Sequence, residues 1–110
     1  MLTVLGYVFS FGFASYGQLG LRSTVNQCEP QHVRELSGKT VKQIAAGWNH
    51  SMVLTEQGFV YSCGHGFFGQ LGLGDDESHT SFTHISALGP LHVDRIYAGG
   101  AHSWALLETT

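Results

Sequence analysis

The sequence has little charge and few basic residues. Charged residues make up 12% of its 110 residues, and lysine and arginine together number five. With histidine neutral, the formal net charge is −3. Proteins that bind the nucleic-acid backbone need a concentrated positive field. Direct nucleic-acid binding is therefore disfavoured.

Cysteine is also scarce, since Cys28 and Cys63 are the only two in the chain. Neither recurs in the repeat described below, so they do not form a repeated disulfide framework. The cysteines and histidines lack the tight paired spacing of zinc ligands. We therefore predict no metal site and no cofactor. Unmatched thiols fit a reducing compartment, so we expect the protein in the cytoplasm or the nucleus.

Long apolar runs are missing as well. No segment approaches the roughly 18 apolar residues that a membrane span requires, so no membrane partner is expected. The apolar start, residues 1–14, has no basic leader and corresponds position by position to residues 53–66. We interpret it as repeat sequence rather than a signal peptide.

What the chain does have is an internal repeat. The segment Gly-Gln-Leu-Gly-Leu at residues 17–21 returns at residues 69–73, a displacement of 69 − 17 = 52 positions. Residues 1–58 placed over 53–110 give 21 identical pairs in 58 without a gap. We divide the chain into repeats at 1–52 and 53–110. Repeats of this size bury their apolar faces by stacking on neighbours.

Four short apolar stretches in the middle of the chain predict β-strands. They cover residues 41–46, 50–55, 59–63 and 81–85, and Glu56-Gln57-Gly58 is a hairpin turn between the second and third. Fifteen glycines among few charges also favour turns and short strands over helices. Four strands at meander spacing predict one blade of a β-propeller.

The loop from Gly64 to Gly69 contains a formal G-x-G-x-x-G after a predicted strand. A dinucleotide site needs a helix directly after this motif. Gly72 and Gly74 oppose such a helix because glycine weakens helices. The equivalent loop of the first repeat also lacks the middle glycine, since Ala14 stands there. We therefore reject nucleotide binding by this loop.

The pairs His50-Ser51 and His102-Ser103 resemble a base beside a nucleophile. Adjacent strand residues point to opposite faces, so a histidine cannot readily activate the serine that follows it. We interpret them as buried, repeated residues that hydrogen-bond backbone groups. No catalytic residue is assigned, and the chain is not expected to be an enzyme.

The remaining candidate residues divide into framework and variable positions. The acidic run Asp75, Asp76 and Glu77 has uncharged counterparts in the first repeat and is our candidate partner-binding loop. Trp48 and Trp104 also break the repeat. An exposed recognition role for one of them is the alternative, but framework residues flank each, so we expect them to pack. The residues assigned to the structural framework are Gly17, Gly20, Gly47, His50, Ser51, Gly64, Gly69, Gly72, Gly99, His102 and Ser103.

Three motifs in order resemble the repeat of the regulator of chromosome condensation family. They are Gly-Gln-Leu-Gly-Leu, then Ile-Ala-Ala-Gly-x-x-His-Ser, then Val-Tyr-Ser-x-Gly. The resemblance implies an all-β propeller fragment whose longer parent has seven blades in the best-known members. It places one complete blade at about 41–88, outer strands of the preceding blade in 1–36, and inner strands of the following blade in 93–107.

The resemblance also implies three functions. The first is a non-catalytic scaffold that binds protein partners. The second is part of a guanine-nucleotide exchange factor for a Ran-like small GTPase, although the gap-free repeats contain no inserted wedge of the kind the founding exchange factor uses. The third is the substrate-recognition propeller of a ubiquitin ligase. Two half-blades leave unpaired edges, so we expect self-association or further blades to complete the propeller.

Overall fold

The computed structural model describes residues 2–3, 6–88 and 91–107. The strands are β1 (Phe9–Gly12), β2 (Gln27–His32), β3 (Val41–Ala46), β4 (His50–Thr55), β5 (Val60–Gly64), β6 (His79–His84), β7 (Val93–Ala98) and β8 (Ser103–Leu107). Single 3₁₀ turns follow β2 and β6, at Arg34–Leu36 and Ser86–Leu88. No helix in these described ranges is long and apolar enough to cross a membrane.

The strands form three antiparallel sheets. β3-β4-β5-β6 is a four-stranded meander, and β1-β2 and β7-β8 are separate two-stranded sheets. This arrangement confirms the predicted fold class of one complete blade with a half-blade on each side. β3 and β4 have the predicted bounds, whereas β5 lies one residue later, and β6 begins two residues earlier and ends one residue earlier than predicted. The ladder reaches further than the apolar pattern because Gly64 pairs with both His50 and His79.

Strand β4 forms the centre of the core because its side chains alternate between two faces. Met52 and Leu54 pack with Ile96 and others between the blade and the β7-β8 sheet. Val53, on the opposite face, packs with Val8 and others between the blade and the β1-β2 sheet. The half-blades therefore cover opposite faces of the complete blade.

A side chain also links two neighbouring sheets through hydrogen bonds. The Gln43 Nε2 amide donates to the Ile96 carbonyl at 2.6 Å, and the Ile96 N–H donates to Gln43 Oε1 at 2.9 Å. One primary amide thus satisfies both backbone groups of a residue in the next sheet. Buried backbone groups need such partners, so this pairing fixes how β7 lies beside β3.

Two equivalent glycines have the same backbone conformation but different surroundings. The φ angles of Gly17 and Gly69 are 79° and 74°, in the left-handed region that side chains disfavour. A Cβ atom at position 17 would lie 2.6 Å from Thr80 Cα, whereas one at position 69 would meet nothing within 4 Å. The first position therefore carries a steric constraint in addition to the conformational one.

We predict that Gly69→Ala lowers the free energy of unfolding by about 1–2 kcal/mol, the cost of a left-handed non-glycine residue. Gly17→Ala should lower it further, because the Thr80 backbone must also move. Urea denaturation followed by circular dichroism measures both variants. Equal losses would show that the contact with Thr80 does not constrain position 17.

Candidate protein-interaction surface

Four connections lie together at one end of the sheets, which we call the loop end. They are the long loops 13–26 and 65–78 and the turns 47–49 and 99–102. Connections in a meander alternate between its two ends, and each of these four follows an odd-numbered strand. Contacts between neighbours join them, since the Trp48 N–H donates to the Gly100 carbonyl at 3.2 Å.

The Gly-Gln-Leu-Gly-Leu segments build the same structure in both long loops. Each has two successive turns, the second of which joins Gly20 N to Gly17 O at 3.0 Å in the first loop and Gly72 N to Gly69 O at 3.1 Å in the second. The side-chain carbonyl of the glutamine accepts a backbone N–H two residues earlier, at 2.9 Å in each case. A repeated sequence thus produces repeated, internally satisfied loops.

In each following sheet, a serine hydroxyl donates a hydrogen bond to the main-chain carbonyl of the glutamine in the preceding loop. Ser51 Oγ donates to the Gln18 carbonyl at 2.6 Å, and Ser103 Oγ donates to the Gln70 carbonyl at 2.8 Å. The serines lie in β4 and β8, whereas the glutamines belong to loops of the preceding sheets. Each bond therefore fixes a loop of one blade to the inner strand of the next.

His50 is buried and joins this network from the other side. Its Nε2 lies 2.8 Å from Ser103 Oγ. Because the Ser103 hydroxyl proton is already donated to Gln70, Nε2–H must be the donor to Ser103, which assigns the Nε2–H tautomer. The lone pair of His50 Nδ1 then has no hydrogen-bond partner among the described residues.

This geometry indicates that His50 and Ser103 have a structural role and do not catalyse acyl transfer. A catalytic histidine would accept the serine proton, but here the serine accepts from the histidine. The His50–Ser103 contact was not predicted from the sequence, because it joins different repeats at a separation of 53 residues. The repeat itself carried the signal, because that separation is one period plus one residue.

The sequence-based interpretation of these histidines needs one correction. His50 bonds the Ser103 hydroxyl, and a backbone hydrogen bond with His102 partly offsets the effect of burial on its pKa. His102 is exposed rather than buried, because no further sheet lies against its ring in the described part of the chain. The two histidines therefore differ in environment, although each follows a glycine by three positions and precedes a serine.

Gly47 and Gly99 lie directly under these two histidine rings. A Cβ atom at Gly47 would overlap the His50 ring, and one at Gly99 would overlap the His102 ring. Each glycine also donates its N–H to the carbonyl of the same histidine at 2.9 Å. The glycines allow the ring to fold back over the turn. The framework roles of the full set of candidate residues stay predictions that substitution must test.

An aromatic cluster covers part of the loop end. Its members are Phe13, Tyr16, His65, Phe67 and Phe68. The His65 ring lies at the centre, and its centroid is 4.6 Å from the ring centroids of both Tyr16 and Phe67 and 5.6 Å from that of Phe68. The phenylalanines are exposed, Phe68 to 76% of its surface. The cluster joins the two long loops because Tyr16 and His65 belong to different repeats.

The acidic run lies in the same loop as the exposed phenylalanines. Asp75, Asp76 and Glu77 are exposed. Asp75 Oδ1 accepts the Glu77 N–H at 3.1 Å, and Asp75 lies 3.3 Å from His79 Nε2. The Glu77 carbonyl packs against Gly66 so closely that a Cβ there would collide. This contact holds the acidic run beside the aromatic cluster.

Both tryptophans contradict our expectation that they pack. Trp48 is 84% exposed on the turn after β3, and Trp104 is 65% exposed on β8. The ring of Trp48 touches Gly100 of the neighbouring turn, so it is placed by one contact while most of its surface faces solvent. We expected packing because framework residues flank both tryptophans, but these neighbours do not report which face of a strand or turn is covered.

The described residues contain no group of three or more histidine, cysteine or acidic side chains that could hold a metal ion. Cys63 is buried, which raises the pKa of its thiol, and Cys28 is exposed; both are free thiols. The loop after Gly64 continues in turns rather than in a helix. Among the described residues, the loop end presents exposed aromatic rings and carboxylates.

Repeated blades that carry variable loops at one end define a protein of the β-propeller class. The model of the regulator of chromosome condensation (RCC1) repeat matches residues 6–54 and 57–106, and a second RCC1-repeat model matches residues 41–70. The chain belongs to the RCC1-repeat family. Our division between residues 52 and 53 remains a prediction.

Curated relatives share this repeat across most of the chain. The chain is 32% identical over 101 residues to the ultraviolet-B receptor UVR8 of Arabidopsis thaliana. It is 38% identical over 105 residues to the probable E3 ubiquitin-protein ligase HERC3 and 41% identical over 102 residues to the X-linked retinitis pigmentosa GTPase regulator, both of Homo sapiens. These alignments cover 92%, 94% and 92% of the chain but 23%, 10% and 10% of the relatives.

Solved structures show the same arrangement. The crystal structure of human WBSCR16 matches with a TM-score of 0.86 and 35% identity, covering 96% of this chain and 28% of that one. The structure of Prp20p from Saccharomyces cerevisiae matches with a TM-score of 0.81 and 20% identity, over 98% and 28%. The chain thus spans under a third of the length of these propeller proteins.

We predict that His50 makes the chain less stable as the pH falls. Burial is the main cause that lowers the pKa of His50 below its ordinary value of 6.5. The unfolded chain therefore binds the proton first, and stability present above about pH 6.5 is lost as the pH falls toward the lowered pKa of the folded state. Urea denaturation between about pH 8 and pH 5 should show a smaller pH dependence in His50→Gln than in the wild type.

His102→Gln is the matched control, since His102 is the exposed counterpart in the second repeat. It should retain most of the pH dependence of the wild type, because burial lowers the pKa of His50 more than the charge of His102 does. The same pH dependence in wild type and His50→Gln would contradict the assignment of a buried neutral imidazole at position 50.

Proposed function

We propose that the chain is a non-catalytic protein-interaction scaffold that binds partners at its loop end. The observation that carries this proposal is the exposed aromatic cluster held beside the acidic run. Large aromatic side chains in solvent are enriched at protein interfaces, where they supply much of the binding energy. The hydrogen bonds from Ser51 and Ser103 hold the loops in place, so little ordering entropy would be lost on binding.

Charge at this surface favours a partner with basic side chains. Loop 65–78 contains three acidic residues and neither lysine nor arginine. Arg22, in the other long loop, already pairs with Glu35. Complementary charge raises the association rate and selects among partners. A protein partner that offers lysine or arginine near an apolar residue fits both parts of the surface.

Two finer functions also have support from relatives. The chain is 41% identical to a protein named a GTPase regulator. This identity supports the proposal that the chain is part of an exchange factor for a Ran-like small GTPase. The 38% identity to a protein named a probable ubiquitin-protein ligase supports a substrate-recognition role. The chain covers 10% of the length of each relative. We therefore extend the activities of those whole proteins to this chain only as proposals. We therefore rank the scaffold as the first proposal. We also propose that the protein acts in the cytoplasm or the nucleus.

Replacing both Phe67 and Phe68 by alanine should abolish capture of partners without unfolding the chain, because both side chains are exposed. Tagged wild type and variant are compared by quantitative mass spectrometry of captured proteins. For a purified partner, calorimetry should show an affinity loss of about tenfold or more. Tyr7→Ala is the control, since Tyr7 is an exposed aromatic residue outside the loop end. Equal losses in both variants would contradict a binding surface at the loop end.

A scaffold should bind a GTPase partner without changing its nucleotide. The chain is mixed with Ran-like GTPases loaded with a fluorescent guanine nucleotide, and release is followed with excess unlabelled nucleotide. We expect the intrinsic release rate, because exchange requires an element that disturbs the nucleotide site. Accelerated release, lost on neutralising Asp75, Asp76 and Glu77 to their amides, would favour the exchange factor instead.

A further inference from the structure

Strand β6 forms the outer edge of the complete blade. In the described part of the chain β6 pairs with β5 and with no other strand. An open strand edge exposes main-chain N–H and C=O groups with which another strand can pair. β6 and the parts of the preceding blade that flank it lie between residues 20 and 84. This edge therefore belongs to a complete blade and is not created by either end of the chain.

β6 lacks the residues that usually protect an open edge. Proteins place proline, lysine or other charged residues on such strands. The counterpart of β6 in the first repeat is β2, which contains Glu29 and Pro30. Phe82 stands in β6 at the position of Pro30, and β6 has no proline, lysine, arginine or acidic residue. The first repeat thus protects its outer edge, and the second leaves its edge open to pairing.

Main-chain groups of His84 point toward this open edge. The Ile85 N–H donates to the Val60 carbonyl at 2.9 Å, so it faces β5. The main-chain groups of successive residues in an antiparallel strand point alternately to one side and the other. The N–H and the C=O of His84 therefore point away from β5. Nearer the start of β6, the Thr80 carbonyl accepts the Arg22 N–H at 2.9 Å, so a main-chain donor from the preceding blade already pairs with this edge.

Phe82 and His84 lie on the face of the blade that is turned toward the β1-β2 sheet. Phe82 and Tyr61 both pack on the core cluster between the blade and that sheet. The centroids of the His84 and Tyr61 rings are 5.3 Å apart. Directly opposite residues of an antiparallel pair share one face. In a strand added at this edge, the residues opposite Phe82 and His84 would therefore point toward the preceding blade.

Basic side chains of the preceding blade flank that face. The Lys39 Nζ atom lies 5.4 Å from the centroid of the Tyr61 ring, and the Tyr61 ring in turn contacts His84. Arg34 is exposed in the 3₁₀ turn that contacts β6. Side chains of an added strand on this face would thus meet an ammonium and a guanidinium group.

The charge beside this part of the edge is positive overall. Residues 22–42 hold four of the five lysines and arginines of the chain and two acidic residues. One of these acids, Glu35, already pairs with Arg22. The acidic run lies beside the start of β6, where Asp75 contacts His79. The later half of β6 therefore favours a segment with acidic side chains.

We propose that the β6 edge binds an extended acidic segment of a partner protein, which adds to the blade as an antiparallel strand. Acidic residues at alternate positions of the segment lie opposite Phe82 and His84, where they face Arg34 and Lys39. Main-chain hydrogen bonds with His84 hold the segment on the edge. This surface differs from the loop end in place and in charge, so the two surfaces select different partner segments.

A labelled peptide of about eight residues, in which valine and glutamate alternate, tests this inference on the whole chain. Fluorescence anisotropy measures its affinity, and amide hydrogen exchange followed by NMR locates it. We expect the peptide to slow exchange of the His84 N–H and to leave the Ile85 N–H, which already bonds Val60, unchanged. The inference is wrong if the peptide does not bind, or binds without slowing exchange at His84. Slower exchange at His84 with rising protein concentration and no peptide would show that a second copy takes the edge instead.

Methylation of main-chain nitrogens in the peptide tests the hydrogen bonds separately from the charges. The residue opposite His84 exchanges both of its main-chain hydrogen bonds with His84, because the groups of His84 point toward it. Methylation at the glutamates should therefore abolish binding, whereas methylation at the valines should preserve it. Equal affinities of the two methylated peptides, or the reverse order, would overturn antiparallel strand addition.

Lys39→Glu should weaken peptide binding by about tenfold or more, because it places like charges together. Arg95→Glu is the matched control, since it makes the same charge change at an exposed position on β7. It should leave the affinity close to that of the wild type, and equal losses in both variants would contradict the site. Phe67→Ala with Phe68→Ala should keep peptide binding, so failure of this inference and failure of the proposed loop-end function are separate results.

Discussion

The hydrogen bond from a serine to the glutamine carbonyl of the preceding loop is the interaction on which this structure depends. Ser51 and Ser103 make it in the same way, at 2.6 and 2.8 Å. It crosses from one blade to the next, so it fixes the loop end and the stacking of blades together. Such bonds contribute modestly to net stability, but leaving the buried carbonyl unpaired would cost more.

The long loops have a hydrogen-bonded base, which these serine bonds hold in place, and tips that differ between the repeats. Within each long loop, the backbone turns and the glutamine side chain make the hydrogen bonds that hold the loop. The side chains at the loop tips are not needed for these bonds, so they are free to vary. The tips of the second loop carry Phe67, Phe68 and the acidic run, while the first loop has uncharged residues at the positions of those acids. A rigid base with variable tips lets repeated units acquire different partners without a change of fold.

His50 shows how stacking changes the chemistry of a residue. Its tautomer, its burial and its lowered pKa all arise from the sheet that follows it. His102 also follows a glycine by three positions and precedes a serine, but no such sheet covers it in the described ranges, and it is exposed. The direction of the bond between His50 and Ser103 excludes His50 as a general base for that serine. The sequence, which shows only that histidines and serines are adjacent, does not give this direction.

The sequence by itself determined the repeat, the strand order and the positions of most turns, because backbone preferences and alternating apolar residues act locally. Glycine with positive φ at Gly17 and Gly69 is one such local signal. The tertiary structure alone decided which histidine is buried, which serine it binds, and that Trp48 and Trp104 face solvent. These properties depend on which sheet covers which face, and that depends on contacts between residues 50 or more positions apart. Periodicity within one strand carries no information about them.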